Sequence, residues 1–314
     1  MKNIRPIFLL ILLLPTLVFG QSKAAQPILR YGRIDRHEMF RSSYVEARNI
    51  DVWLPENFDL HTKYPVIYFH DGQMLFDSTT TWNKQEWQLD ESAGSLIASN
   101  KIRSFIVVAI WNTSLRHSEY FPQKPFETLT ESYKEKLLTD NSTDEYFNLF
   151  HGMIRSDDYL KFIVTELKPF IDHNYPTLTD QQNTFIAGSS MGGLISMYAI
   201  CEYPDVFGAA ACLSTHWPGL FSLENNPLPQ SFVDYLDKNI PPPSTHRWYF
   251  DHGTETLDAL YPVLQQQIDS VFRSKGYGEN HYVSFAFEGE DHSEKAWSKR
   301  LQTPLLFLLS TPKN

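Results

Sequence analysis

Residues 183–200 read NTFIAGSSMGGLISMYAI, and this stretch decides the fold. A short apolar run, NTFIA, enters a cluster of small residues, Gly188-Ser189-Ser190-Met191-Gly192-Gly193, and an apolar helical pattern, GLISMYAI, leaves it. The spacing is G-x-S-x-G with Ser190 at its centre, in the strand–turn–helix setting the motif requires. A serine on so tight a turn is forced into a strained backbone, and small neighbours are needed to avoid clashes. Its hydroxyl is lifted above the sheet toward the next helix, where the Met191 amide can stabilise an oxyanion. The spacing also occurs by chance in tight turns, and Ser189 is an offset alternative that lacks the flanking glycines. Ser190 is the candidate nucleophile.

Outward from this turn, short apolar runs alternate with helical patterns. The strand candidates are YPVIYFH (64–70), SFIVVAIW (104–111), NTFIAG (183–188), GAAACLS (208–214), RWYFDHG (247–253) and YVSFAFEG (282–289). Most are apolar without alternation, as strands buried on both faces of a parallel sheet must be. Helical segments lie at 87–99, 158–173, 194–202 and 260–274. The order implies an α/β fold with a mostly parallel central sheet flanked by helices. The region before Tyr64 alternates more and suits an antiparallel hairpin at one sheet edge. No repeat or linker divides residues 21–314, so one domain is expected. Residues 112–155 and 215–245 break the alternation and read as long insertions. Each follows a strand directly, which puts both at the carboxyl end of the sheet, where such folds bind ligands.

The chain has 314 residues with 42% hydrophobic content, enough to bury a sizeable core. Its formal net charge of -10 leaves no basic footprint for a nucleic acid. Residues 1–20, MKNIRPIFLLILLLPTLVFG, carry Lys2 and Arg5 ahead of an apolar run, with Val18 and Gly20 as small residues before a cut at Gln21. The run is too short and too Pro-interrupted for a span, so a cleaved signal peptide is expected, with a periplasmic or extracellular destination and no integral membrane association. Cys201 and Cys212 lie in apolar stretches and read as buried thiols rather than a disulfide. No close metal-ligand spacing and no phosphate-cradling glycine loop appears.

A serine hydroxyl needs a base. In a sheet of this order the base belongs on the loop after the last strand, and His292 lies there, in YVSFAFEGEDHSEKAW. His281 lies at the wrong end of that strand, and His70 and His252 belong to other loops. The base needs an acid to hold its tautomer. The turn GTETLDALY after the preceding strand offers Asp258 and Glu255, and spacing alone does not separate them; Asp258 also reads as a helix N-cap. Asp251 lies inside the strand. The loop His70-Asp71-Gly72-Gln73 follows an earlier strand, and its Gly72 or Gln73 amide is the second candidate oxyanion donor.

The blocks HDGQMLFD, GSSMGGLISMYA, YPDVFGAAACLS and EGEDHSEKAW resemble the esterase D-like branch of the α/β-hydrolase superfamily. That branch holds S-formylglutathione hydrolases, feruloyl and acetyl-xylan esterases, siderophore esterases and mycolyltransferases. The likeness runs from about Arg41 to the C-terminus. It implies the α/β-hydrolase fold, Ser190 as nucleophile, His292 as base, the Gly72/Gln73 loop as oxyanion donor and no cofactor. It favours Asp258 over Glu255 as acid, because the family's acid lies shortly before the following helix.

The expected activity is hydrolysis of carboxylic esters through an acyl-enzyme. The substrate is a small-molecule or carbohydrate-linked ester, with siderophore-type lactones also open. Trp111, Arg116 and Trp217 are the candidate substrate contacts, although tryptophan is more often core than site. Two rivals remain: an acyltransferase using the same residues, and a non-catalytic binding protein on the hydrolase fold. Oligomeric state is not legible.

Overall fold

The computed structural model describes residues 24–139 and 149–310. The leader expected over residues 1–20 lies outside the described residues. Eight strands form one sheet: β1 (Arg33–Phe40), β2 (Arg48–Leu54), β3 (Val66–Phe69), β4 (Ile106–Ile110), β5 (Thr184–Ser189), β6 (Ala209–Leu213), β7 (Arg247–His252) and β8 (Tyr282–Ala286). Their spatial order is β1-β2-β4-β3-β5-β6-β7-β8. β1 pairs antiparallel with β2, and β2 antiparallel with β4; every other pairing is parallel. The expected edge hairpin and the mostly parallel sheet are both present.

The apolar strands without alternation are explained by two cores, one on each face. Along β3, Val66 and Tyr68 join one core while Ile67 and Phe69 join the other. The first core is closed by α5 (Ser156–Phe162), α6 (Lys168–Asn174), α7 (Met191–Glu202), α8 (Leu228–Asn239) and α9 (Tyr261–Ser274). A π-helical turn, Ile163–Leu167, joins α5 to α6. The second core is closed by α1 (Leu89–Ala98), α10 (Glu294–Arg300) and α11 (Gln302–Leu309). No helix among the described residues is long and apolar enough to cross a membrane.

The segments read as insertions are more ordered than their loop-like sequences suggested. Residues 112–139 form three short helices, α2 (Arg116–Tyr120), α3 (Gln123–Glu127) and α4 (Glu131–Thr139). Residues 215–245 contain α8, which buries Leu228, Phe232, Tyr235 and Leu236 along one face. That i, i+4, i+7, i+8 spacing is helical. Its signal was masked by Pro227 and Pro229, which fit the start of a helix as well as they fit a loop. Cys212 is buried, Cys201 is half-buried, and both are free thiols.

Candidate active site

Ser190 sits between β5 and α7 at φ 57 and ψ -121, a conformation that side chains normally avoid. Four backbone bonds hold it there. Its amide donates to Leu213 O at 2.9 Å, and its carbonyl accepts from Gly193 at 3.0 Å, His216 at 3.1 Å and Leu194 at 3.2 Å. Gly188 is required by close approach: a Cβ there would stand 2.8 Å from the Gly192 backbone. The strain is therefore built into the β5–α7 turn, which presents the Ser190 side chain at the carboxyl end of the sheet.

His292 follows β8 and precedes α10. Its Nδ1 lies 2.5 Å from Asp258 Oδ1, and its amide donates to Thr256 Oγ1 at 3.0 Å. Asp258 follows β7 and is wholly buried. Its Oδ2 accepts from the Gly253 amide and the Ser214 hydroxyl, each at 2.6 Å. Burial opposes its ionisation, but the bond and charge of His292 and these two donors outweigh burial and hold the carboxyl below its usual range. Glu255, the other acid left open, is exposed; its backbone is tied down, the amide donating to Glu290 O and the carbonyl accepting from the Asp258 amide, each at 3.1 Å. Of the two, Asp258 is the one that meets His292. Asp251 in β7 points elsewhere and pairs with Arg300 at 3.0 Å.

The loop after β3 packs against the start of α7, where a Cβ on Gly192 would stand 3.3 Å from His70 Cβ and 3.6 Å from Asp71 Oδ2. Asp71 is left-handed at φ 57 and starts a single 3-10 turn, Gly72–Met74. The first bond of that turn is Met74 N to Asp71 O at 2.9 Å, so the Gly72 and Gln73 amides are not used by it. Met191, first in α7, likewise has no intrahelical acceptor. Gly72 packs on β4 so closely that a Cβ would come within 2.5 Å of the Ala109 backbone. The loop is pinned from α2. Arg116 donates twice to Asp71, at 2.7 Å each, and Asn112 Nδ2 donates to the same carboxylate at 2.6 Å. These bonds and the Arg116 charge outweigh burial and keep the Asp71 carboxyl below its usual range.

Ser190, His292, Asn112, Arg116, Trp82 and Trp297 share the wall of one cavity of about 360 Å³. Trp82 stands at its rim, 81% exposed. Two bonds tie the Trp82 loop to the start of α10: Asn83 Nδ2 to Glu294 Oε2 at 2.9 Å and the Lys295 amide to Gln85 Oε1 at 3.1 Å. A hydroxyl, an imidazole paired to a carboxylate and a guanidinium thus face one small space. That is the equipment for attack on a carbonyl.

The sequence matches the model of the esterase family described as "Putative esterase" over residues 42–308. The chain belongs to this esterase family. It is accordingly a carboxylic ester hydrolase, built on the α/β-hydrolase fold. It is 24% identical over 268 residues to the uncharacterized protein YbbA of Bacillus subtilis (strain 168), covering 83% of this chain and 92% of that one. Its structure is similar to that of a ferulic acid esterase, with a TM-score of 0.63 and 19% identity, covering 89% of this chain and 98% of the other. It is also similar to the enterobactin esterase FES from Shigella flexneri, with a TM-score of 0.62 and 16% identity, covering 91% of this chain and 61% of that one.

Within this esterase, the residues singled out from sequence fall in different places. Arg116 is on the cavity wall. Trp111 and Trp217 are not. Trp217 is buried in the first core, its Nε1 donating to Gln265 Oε1 at 2.8 Å. Trp111 donates to Asp51 Oδ2 at 3.0 Å and lies under Arg36, 4.8 Å from its ring. Each indole N–H has found a polar partner away from the cavity, which removes the reason to place these rings against substrate. Residues 215–245 contribute nothing to this cavity's wall. Sequence reasoning missed Asn112, Ser214 and Tyr261. Tyr261 is wholly buried, its hydroxyl 2.9 Å from Nδ1 of His216, whose amide in turn donates to the Ser190 carbonyl at 3.1 Å. Nothing in the local pattern marks these residues, because each acts on a partner distant in sequence.

Proposed function

We propose that the protein is an exported serine esterase with Ser190 as nucleophile, His292 as general base and Asp258 as the orienting acid. One observation carries the reading: Ser190, on the turn after β5, and His292, on the turn after β8, line one cavity, and Asp258, buried after β7, stands 2.5 Å from His292 on the side away from it. His292 Nε2 takes the proton from Ser190 Oγ as that oxygen attacks the ester carbonyl. The Met191 amide and the Gly72 or Gln73 amide hold the tetrahedral oxyanion. His292 then gives its proton to the leaving alcohol, and water repeats the sequence to release the acid. Asp258 keeps the imidazole in one tautomer throughout, and no cofactor takes part.

Arg116 and Trp82 support the substrate reading. Asp71 takes the Nε and Nη2 sides of the Arg116 guanidinium, which leaves Nη1 for an acceptor on the substrate. Trp82 offers a flat apolar platform at the rim. Esters that carry an aromatic group fit both, whether carbohydrate-linked or siderophore-type lactones, and the names of the two similar structures speak of ferulic acid and of enterobactin. The sequence of residues 1–20 supports export to the periplasm or beyond, with a mature N-terminus at Gln21.

The test is hydrolysis of p-nitrophenyl acetate, a feruloyl sugar ester and a catecholate trilactone by purified protein beside Ser190→Ala. Turnover that disappears in Ser190→Ala supports the reading. Turnover that survives Ser190→Ala, or none in the wild type, rejects it. N-terminal sequencing of the exported protein tests the cut before Gln21.

A further inference from the structure

Ser214 directly follows β6 at φ 40 and is wholly buried. Its hydroxyl oxygen lies 2.6 Å from Asp258 Oδ2, 2.8 Å from Arg300 Nη2 and 3.0 Å from Trp297 Nε1. An indole N–H and a guanidinium N–H can only donate. Both must therefore point their hydrogens at the Ser214 oxygen and occupy its two lone pairs. The single Ser214 proton is left for Asp258. The direction of this bond is fixed by elimination.

Behind Ser214 stands a buried ion pair. Arg300 Nη2 also donates to Asp251 Oδ1 at 3.0 Å, and the Ser214 amide donates to the same oxygen at 3.2 Å. Tyr249 donates its hydroxyl to Asp251 Oδ2 at 2.8 Å. Arg300 is 4% exposed, and its Nε and Nη1 have no partner among the described residues. A guanidinium buried with so few acceptors is costly for the fold. What it does have is proximity: one hydroxyl separates its charge from Asp258.

We infer that Ser214, polarised by Arg300, is a positioning residue for Asp258. It fixes the carboxylate on His292 and keeps it ionised, and so sets how tightly His292 holds its proton. The inference rests on the roles proposed above for Asp258 and His292. The groups facing Asp258 are His292 at Oδ1, Ser214 and the Gly253 amide at Oδ2, the Tyr261 phenol one turn further on with His216 bonded to it, and the Arg300–Asp251 pair behind Ser214. Among the described residues, only Ser214 links the carboxylate to a permanent charge.

The experiment is the pH profile of kcat/KM for Ser214→Gly. Glycine accepts the left-handed backbone at this position without strain, so the hydroxyl is removed and the turn kept. A carboxylate with one donor fewer holds the His292 proton more firmly, so the acid limb moves up by about half a pH unit. kcat falls by roughly tenfold while KM stays within about twofold. The paired variant Asp251→Asn/Arg300→Gln removes both buried charges together and moves the limb the same way by less. An acid limb that stays in place in both variants overturns the inference, and activity lost only in proportion to folded protein does the same. If Ser214→Gly does not fold, the paired variant decides alone by the same criterion. Wild type without Ser190-dependent turnover would instead remove the functional reading itself, and this inference with it.

Discussion

His292 Nδ1 and Asp258 Oδ1 stand 2.5 Å apart, while Glu255, three residues earlier in the same turn, is exposed. The two acids are therefore separable by experiment. Asp258→Asn cannot hold the tautomer that leaves Nε2 free to accept, and kcat should fall by about 10³- to 10⁴-fold. Glu255→Gln should stay within about twofold of wild type, as for a surface change away from the site. Steady-state kinetics on p-nitrophenyl butyrate measure both, and the reverse ranking would move the acid to Glu255.

Trp82 contributes almost nothing to the fold at 81% exposure, yet it borders the cavity. Trp82→Ala should leave the melting temperature within about 1 °C of wild type. KM for a feruloyl ester should rise by roughly fivefold, the loss of one aromatic contact worth about 1 kcal/mol. KM for p-nitrophenyl acetate, with an acyl group too short to reach the rim, should hold. Equal effects on the two substrates would take Trp82 out of acyl recognition.

How much of this was legible in the sequence follows from what each residue answers to. The β5–Ser190–α7 turn was legible because its demands are local: strand, small residues and helix must follow one another directly. The two-faced sheet was legible because every residue of β3, β4 and β6 is apolar. Spacing alone left Asp258 and Glu255 open and only the resemblance favoured Asp258, since the choice is made by the Gly253 amide, Ser214 and His292, which the chain brings together only on folding. Trp111 and Trp217, read from sequence as substrate contacts, stand off the cavity wall for the same reason. Their partners, Asp51 and Gln265, are 60 and 48 residues away. The α8 helix was hidden by prolines whose helix-start and loop meanings look alike in sequence.

Desolvated histidines set the acid limit of the fold, and burial pushes His117 down to about 4. His70 and His216 are both buried, and burial pushes each pKa down to about 3. In the unfolded chain each takes up a proton near pH 6.5, whereas in the native state neither does until far lower pH. The unfolded state therefore binds more protons below pH 6.5, and stability falls as pH falls. The loss should be on the order of 2 kcal/mol per histidine by pH 5. Asp258 and Asp71, held below their usual range, add a further loss that begins as the pH falls toward the ordinary carboxylate value near 4 and continues down to their lowered values. Thermal melts from pH 8 to 4.5 should show the midpoint flat above pH 7 and declining below 6.5. His70→Gln should flatten part of the decline, and a midpoint indifferent to pH across this window would contradict the assignment.

The last prediction concerns what holds the cavity wall from behind. Arg48 in β2 and Glu119 in α2 form a fully buried pair, with Nη1 2.8 Å and Nη2 2.6 Å from the carboxylate oxygens. The Arg48 guanidinium also lies over the rings of Tyr159 and Phe162. The same α2 carries Arg116, which holds Asp71, and Tyr120, whose hydroxyl accepts the Asp71 amide at 3.3 Å. Removing one partner strands a buried charge, so Glu119→Ala should cost about 3–5 kcal/mol in denaturant melts. Because α2 also anchors the loop that carries Gly72 and Gln73, the variant should lose kcat even at temperatures where it is fully folded. The double variant Arg48→Met/Glu119→Leu removes both charges, and an apolar pair of similar volume is often neutral or stabilising in such a place. It should recover most of the stability and, with α2 seated again, most of the kcat. Recovery of stability without recovery of kcat would mean that the charge pair, rather than the seating of α2, governs the Gly72–Gln73 loop.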